Sequence, residues 1–86
     1  MKTLTIHIPD RFDFMQHRWF SQEHRLVDNE TSVTLDFSKT AYIDSSALGM
    51  MLLLRDKALN VNIVNCTDNA MQIFKIANFQ KLFEIS

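Results

Sequence analysis

Three short stretches of this chain alternate apolar with polar residues, and each is separated from the next by a segment long enough for a helix. Residues 3–8 put Leu4, Ile6 and Ile8 on one side and Thr3, Thr5 and His7 on the other. Residues 32–37 set Val33, Leu35 and Phe37 against Ser32, Thr34 and Asp36, and residues 61–64 supply Val61, Ile63 and Val64. A two-residue period with β-branched residues is the mark of a strand with one buried face. His7 falls on the polar side, where solvent is its expected neighbour. A short terminal strand is expected at 82–85. Helices are predicted between the strands, over about 12–26, 45–59 and from Thr67 or Asp68 to Asn78. The order β-α-β-α-β-α-β implies one α/β domain over 1–86, a sheet with helices packed on it.

The helical stripes set the expected core. In the first helix Phe12, Met15, Trp19 and Leu26 share a side, opposite Asp13, His17, Ser21 and His24. In the third, Ala70, Ile73, Phe74 and Ala77 point inward. In the second, a wheel groups Leu48, Met51, Leu52, Ala58 and Leu59 as the core face. Ser46, Met50, Leu53 and Lys57 lie opposite, with Gly49 to one side. Met50 and Leu53 are then apolar residues on the wet face, a candidate protein-binding patch. Asn60 is the expected stop of this helix, since Asn tolerates the left-handed conformation.

Composition removes several classes of function. With 47% hydrophobic and 22% charged residues in 86, the chain has enough apolar side chains for one core and is not disordered. Nine basic and ten acidic residues leave a net charge of −1, so no basic surplus points to nucleic acid. Cys66 stands alone, which rules out an internal disulfide and suggests a reducing compartment, the cytoplasm. The apolar run 50–54 is far too short to span a membrane, and the alternating N-terminus lacks the apolar core of a signal peptide. No Gly-rich phosphate loop is present. His17 and His24 stand seven apart, whereas paired metal ligands on a helix need three or four, so neither a metal nor another cofactor is expected. Ser45 has no Gly-x-Ser-x-Gly surroundings and nothing brings a His to it, so catalysis is not expected.

The stretch that carries function runs Asp36-Phe37-Ser38-Lys39-Thr40-Ala41-Tyr42-Ile43-Asp44-Ser45-Ser46-Ala47-Leu48-Gly49. Asp44 is a good N-cap, which places Ser45 at the first helical position. There the backbone N–H groups lack acceptors within the helix and the dipole is positive. A phosphate on Ser45 would meet donors and a favourable field already in place. It would add about −1.5 to −2 charges at an outer corner of the domain. A partner packed over that corner would be held off.

Residues 33–53, with Asp-Phe-Ser, Tyr-Ile-Asp-Ser-Ser and Leu-Gly, resemble the characteristic segment of STAS domains, named for sulfate transporters and anti-sigma factor antagonists. Residues 71–83 are similar to the family's later helix and last strand, and residues 4–14 to its early strand. The resemblance implies a STAS fold and a phosphorylation-switched, non-enzymatic role of the anti-sigma factor antagonist type. In such proteins the first Ser of Asp-Ser-Ser is phosphorylated, which implies Ser45, with Ser46 as the lesser candidate. The implied partners are an anti-sigma factor or related serine kinase, bound when Ser45 is unphosphorylated, and a serine phosphatase. Partner contacts are assigned to Asp44, Ser46, Gly49, Met50 and Leu53. Ala47 stands where the family often has Gly. Against the family pattern the chain reads as shortened at both ends, which would expose apolar surface open to weak self-association. The rival implication is a STAS subunit that docks on the ATPase of a membrane transport system without inserting into the membrane itself.

Overall fold

Period-two patterning at the centre of the chain becomes the middle of a four-stranded sheet. A computed structural model describes residues 2–86. Strands β1 (Lys2–His7), β3 (Thr31–Asp36), β5 (Asn60–Val64) and β6 (Glu84–Ile85) line up in the order β1-β3-β5-β6. All three pairings are parallel. Two further strands of two residues, β2 (Arg11–Phe12) and β4 (Tyr42–Ile43), pair with each other. Helices α1 (His17–Arg25), α2 (Ser45–Lys57) and α3 (Asp68–Ile76) fill the connections. The expected α/β architecture is the observed one.

Register explains why the strands alternate instead of reading as continuous apolar runs. Leu4, Val33 and Val61 stand abreast, as do Ile6, Leu35 and Ile63. Those rows, Leu4 only partly, are buried together with Phe20 of α1, Ala47, Met51 and Leu54 of α2 and Ala70 and Phe74 of α3. The intervening rows, Thr3-Ser32-Asn60 and Thr5-Thr34-Asn62, face the other way and stay at least partly accessible. Parallel sheets are usually covered on both faces. Here one face carries the core and the other presents short polar side chains.

The end of the sheet next to α3 is clad in aromatic rings. Phe37 meets Phe74 edge-on at 5.3 Å, Phe74 stacks on Phe79 at 5.7 Å, and Phe79 contacts Phe83 at 5.1 Å. Asn78 takes the left-handed conformation at φ 60, ends the helix as expected and leads into a 3-10 turn at Phe79–Lys81. The terminal strand is therefore shorter than the expected 82–85.

Three expectations are corrected. Phe12 belongs to β2, and the helix starts later than 12. Asp13 accepts from Met15 N while Gln16 Oε1 accepts from Asp13 N, a reciprocal box that opens a 3-10 turn at Phe14–Gln16 before α1. This start shifts the phase: Phe20 is buried, whereas Met15 and Leu26 are 80% and 65% exposed. In α2 the buried residues are Ala47, Met50, Met51 and Leu54. Met50 is 6% exposed, so it is not the wet-side residue expected, and Leu52 and Leu59 are exposed where core was expected. Five apolar residues in a row (50–54) give no period from which to choose a phase; packing against α1 makes the choice. Finally, Asn60 does not stop α2 in a left-handed conformation. Ala58 is already extended, Leu59 N donates to Thr31 O at 2.9 Å, and Asn60 opens β5, so strand pairing captures the chain. Asn65 and Asn78 are the non-glycine residues with positive φ among those described.

Candidate functional site

Placement of Ser45 begins with the loop before it. Thr40 is fully buried, and its hydroxyl donates to Pro9 O at 3.0 Å. Its carbonyl accepts from the Thr67 hydroxyl at 2.8 Å. Ala41 N and Tyr42 N both donate to Asp10 O, and Asp44 N donates to Phe12 O at 3.2 Å. These bonds tie the 38–44 segment to the β1–β2 connection and to the start of α3. The two-residue ladder of β2 with β4 then delivers Asp44 at a defined place.

Asp44 is the N-cap of α2, as the sequence predicts, with φ −110 and ψ 177. Its Oδ1 accepts from Ala47 N at 3.0 Å. Its Oδ2 accepts from Phe14 N at 3.3 Å, thirty residues away in sequence. One carboxylate therefore fixes both the start of α2 and the turn that leads into α1. Ser45 and Ser46 follow as the first helical residues, both exposed. Their amides belong to the turn that has no acceptor inside the helix, at the positive end of the dipole. No acidic residue lies within the first turn of α2. What this corner offers chemically is an accessible hydroxyl in a field that favours added negative charge.

Gly49 and Leu53 continue from Ser45 at four-residue spacing along the helix. Gly49 is exposed, and a Cβ built on it would meet nothing within 4 Å. Among the described residues no backbone outside its own helix approaches it. Leu53 is 62% exposed, as expected. Met50, assigned with them to the contact surface, lies instead between α2 and α1, beside Phe20. The structure thus brings Asp44, Ser45, Ser46, Gly49 and Leu53 to one surface and removes Met50 from it.

Two residues at this corner escaped the sequence reading. Phe14 is 68% exposed, held by the hydrogen bond to Asp44, with its ring stacked on His17 at 6.3 Å. Met15, expected in the core, stands beside it. The signal that could have found them is Asp13 with Gln16 three residues on, the spacing of a capping box. Nearby, the Arg11 guanidinium lies 4.5 Å above the Tyr42 ring and 3.3 Å from Asp13.

Other reactive side chains are engaged elsewhere. His7 is 3.5 Å from Asp36, whose carboxyl is held below its ordinary range chiefly by bonds from Ser38, helped by Asn65 and His7. His24 Nε2 lies 3.4 Å from Leu53 O. Burial pushes the Cys66 thiol up, the opposite of what an activated thiolate needs. Among the described residues no three His, Cys, Asp or Glu come together as a metal site. No helix among them is long and apolar enough to cross a membrane.

Comparison with known proteins accords with this geometry. The family model of the STAS domain matches residues 3–86. The chain is also 41% identical over 88 aligned positions to a STAS-domain containing protein of Pseudomonas aeruginosa, an alignment that covers 96% of this chain and 87% of that protein. With a capped helix behind an Asp-Ser-Ser step, on a one-sided parallel sheet, the chain belongs to the STAS domain family.

Proposed function

We propose that the chain is a phosphorylation-switched protein-binding module of the anti-sigma factor antagonist type, acting in the cytoplasm. The unphosphorylated form binds an anti-sigma factor or related serine kinase. The kinase transfers the γ-phosphoryl group of a nucleoside triphosphate to the Ser45 hydroxyl oxygen; the hydroxyl proton is lost and the nucleoside diphosphate leaves. The modified form releases the partner, and a serine phosphatase hydrolyses the ester to restore binding. The observation that carries this reading is the exposed Ser45 hydroxyl at the first position of α2, directly after the Asp44 cap. A dianion there is accommodated by the helix terminus, so the domain keeps its fold while its surface changes. Against a closely packed partner the same charge must be desolvated at the corner it shares with the exposed Phe14 or hold the partner away. A penalty of about 3 kcal/mol weakens binding more than a hundredfold.

The test is the affinity of purified protein, phosphorylated and unphosphorylated, for its cognate kinase, with Ser45→Ala and Ser45→Asp alongside. The expected result is tight binding by the unphosphorylated protein and Ser45→Ala, and a loss of about a hundredfold or more for the phosphorylated form. Equal affinities rule out blocking. Capture of a transport ATPase, whatever the state of Ser45, replaces this reading with the transport-subunit role.

A further inference from the structure

A second surface lies where Leu53 and Met50 of α2 meet α1. Where α1 packs on α2, a depression of about 70 Å³ is lined by Phe20, Met50 and Leu53; Phe20 and Met50 are buried, and Leu53 supplies the exposed apolar surface. It shares His17 and Ser21 with a wider, shallower depression of about 500 Å³ on α1. The rim is basic or imidazole-bearing: His17 and His24 on the first, Arg18 and Arg25 on the second. Neither is lined by a carboxylate, although the chain as a whole carries a net charge of −1. Glu23, the one acidic residue of α1, lines neither. Lys57 Nζ donates to His24 O at 2.9 Å, which pins the two helices together and adds a further cation beside the groove.

We infer that the groove between α1 and α2 is a docking site for an acidic amphipathic helix of a partner protein. The argument is one of complementary chemistry. The depression takes one apolar side chain of such a helix, and the exposed Leu53 packs against the rest of its apolar face. Arg18 and Arg25, both on α1, pair with carboxylates along that edge of the helix. This inference rests on the switch reading in one respect, the position of Ser45. Ser45, Gly49 and Leu53 follow one side of α2, so Ser45 lies about 12 Å along the helix from Leu53 at about 1.5 Å per residue. A phosphate there adds negative charge on the same side of α2 and repels the carboxylates that the arginines attract.

The probe is a fluorescein-labelled peptide of about 16 residues, with leucines at alternating three- and four-residue spacing and glutamates flanking them. Its binding to the whole chain is followed by fluorescence anisotropy. Controls are a peptide of the same composition with the leucine spacing scrambled, and one with lysine for glutamate. The expected result is saturable binding of the acidic amphipathic peptide, weakened by added salt. Binding should fall about tenfold or more with the double change Arg18→Glu and Arg25→Glu, and likewise with Leu53→Asp. Both variants alter exposed side chains, and circular dichroism checks that they fold. The inference is overturned if the peptide fails to bind at about 1 mM, if the scrambled peptide binds equally, or if the charge reversal changes nothing. Sedimentation of the protein with phosphatidylglycerol vesicles in the absence of peptide binding overturns it in favour of a membrane surface. Ser45→Asp separates the two readings: peptide binding that Ser45→Asp leaves undiminished refutes the switch and leaves the groove standing.

Discussion

Helices α2 and α3 begin in the same way and place their carboxylates one position apart. Each has an extended N-cap whose side-chain oxygen accepts from the amide three residues on, Asp44 from Ala47 and Thr67 from Ala70. At α3 the first helical residue is Asp68, a permanent carboxylate at the positive end of the dipole, and the cap hydroxyl is spent on Thr40 O inside the fold. At α2 the first turn holds no acid, and two exposed serines occupy the corresponding place. Each terminus carries one carboxylate, on the first helical residue in α3 and on the cap itself in α2. At α2 the two positions after the cap are uncharged hydroxyls. The contrast teaches that a cap sets where a helix starts, and that the compensating charge can sit either on the cap or on the residue after it.

The comparison can be broken most severely at the helix phase on which it depends. Leu54 is fully buried and Leu52 is not. Leu54→Ala should cost about 2–5 kcal/mol and Leu52→Ala less than about 1 kcal/mol, measured by urea unfolding. Equal losses would mean that α2 presents a different face. Next come the caps. Asp44→Ala removes the bonds to both Ala47 N and Phe14 N, and should cost about 1–2 kcal/mol; Thr67→Ala loses its cap and its bond to Thr40 and should cost a similar amount. Asp44→Asn keeps a capping oxygen and should lose clearly less than Asp44→Ala. A Thr67→Ala variant as stable as wild type would show that the two starts are not alike. The smallest effect sharpens the charge contrast itself. Ser45→Asp should leave stability unchanged or raise it by a few tenths of a kcal/mol, while Asp68→Ser should lower it by a similar amount. A fall in Tm of more than about 5 °C for Ser45→Asp would mean that this terminus does not tolerate charge.

An exposed ion pair adds a pH dependence unrelated to either helix. Asp28 is drawn down to about 2 by its bond from Lys2, with help from the Glu30 amide and Thr31. A carboxylate with a lowered pKa stabilises the fold above its ordinary value near 3.8 and loses that contribution as pH falls towards 2. Lys2→Ala should therefore flatten the acid limb of the stability curve in that window, by an amount kept small through solvent screening.

What could be read in advance follows physical lines. Strands were readable because one face of the sheet is wet, which forces apolar residues to alternate with Thr, Ser and Asn. The α3 stripe was readable because Lys75 and Gln72 break it with polar positions. Asp44 and Ser45 were readable from local backbone chemistry alone, which needs no tertiary information. The phase of α2 was not, since residues 50–54 are apolar on every side and only the approach of Phe20 decides that Met50 is covered. The start of α1 was hidden by the apolar spacing of Phe12, Met15 and Trp19, which overrode the weaker signal of Asp13 and Gln16. Phe14 and Met15 were therefore missed at the corner they share with Asp44.

The uncovered face of the sheet has a consequence for how such a chain can change over generations. Thr5, Thr34 and Asn62 stand abreast on that face, opposite the core and away from the α2 cap. A residue there answers mainly to its cross-strand neighbours, so most exchanges among small polar or β-branched types shift stability by only about half a kcal/mol. The sheet therefore gives the molecule a surface that can drift, acquire charge or be recruited for new contacts while the core stays intact. Variation on that face leaves Asp44 and Ser45 untouched, because they open α2 and stand outside the strands that build it.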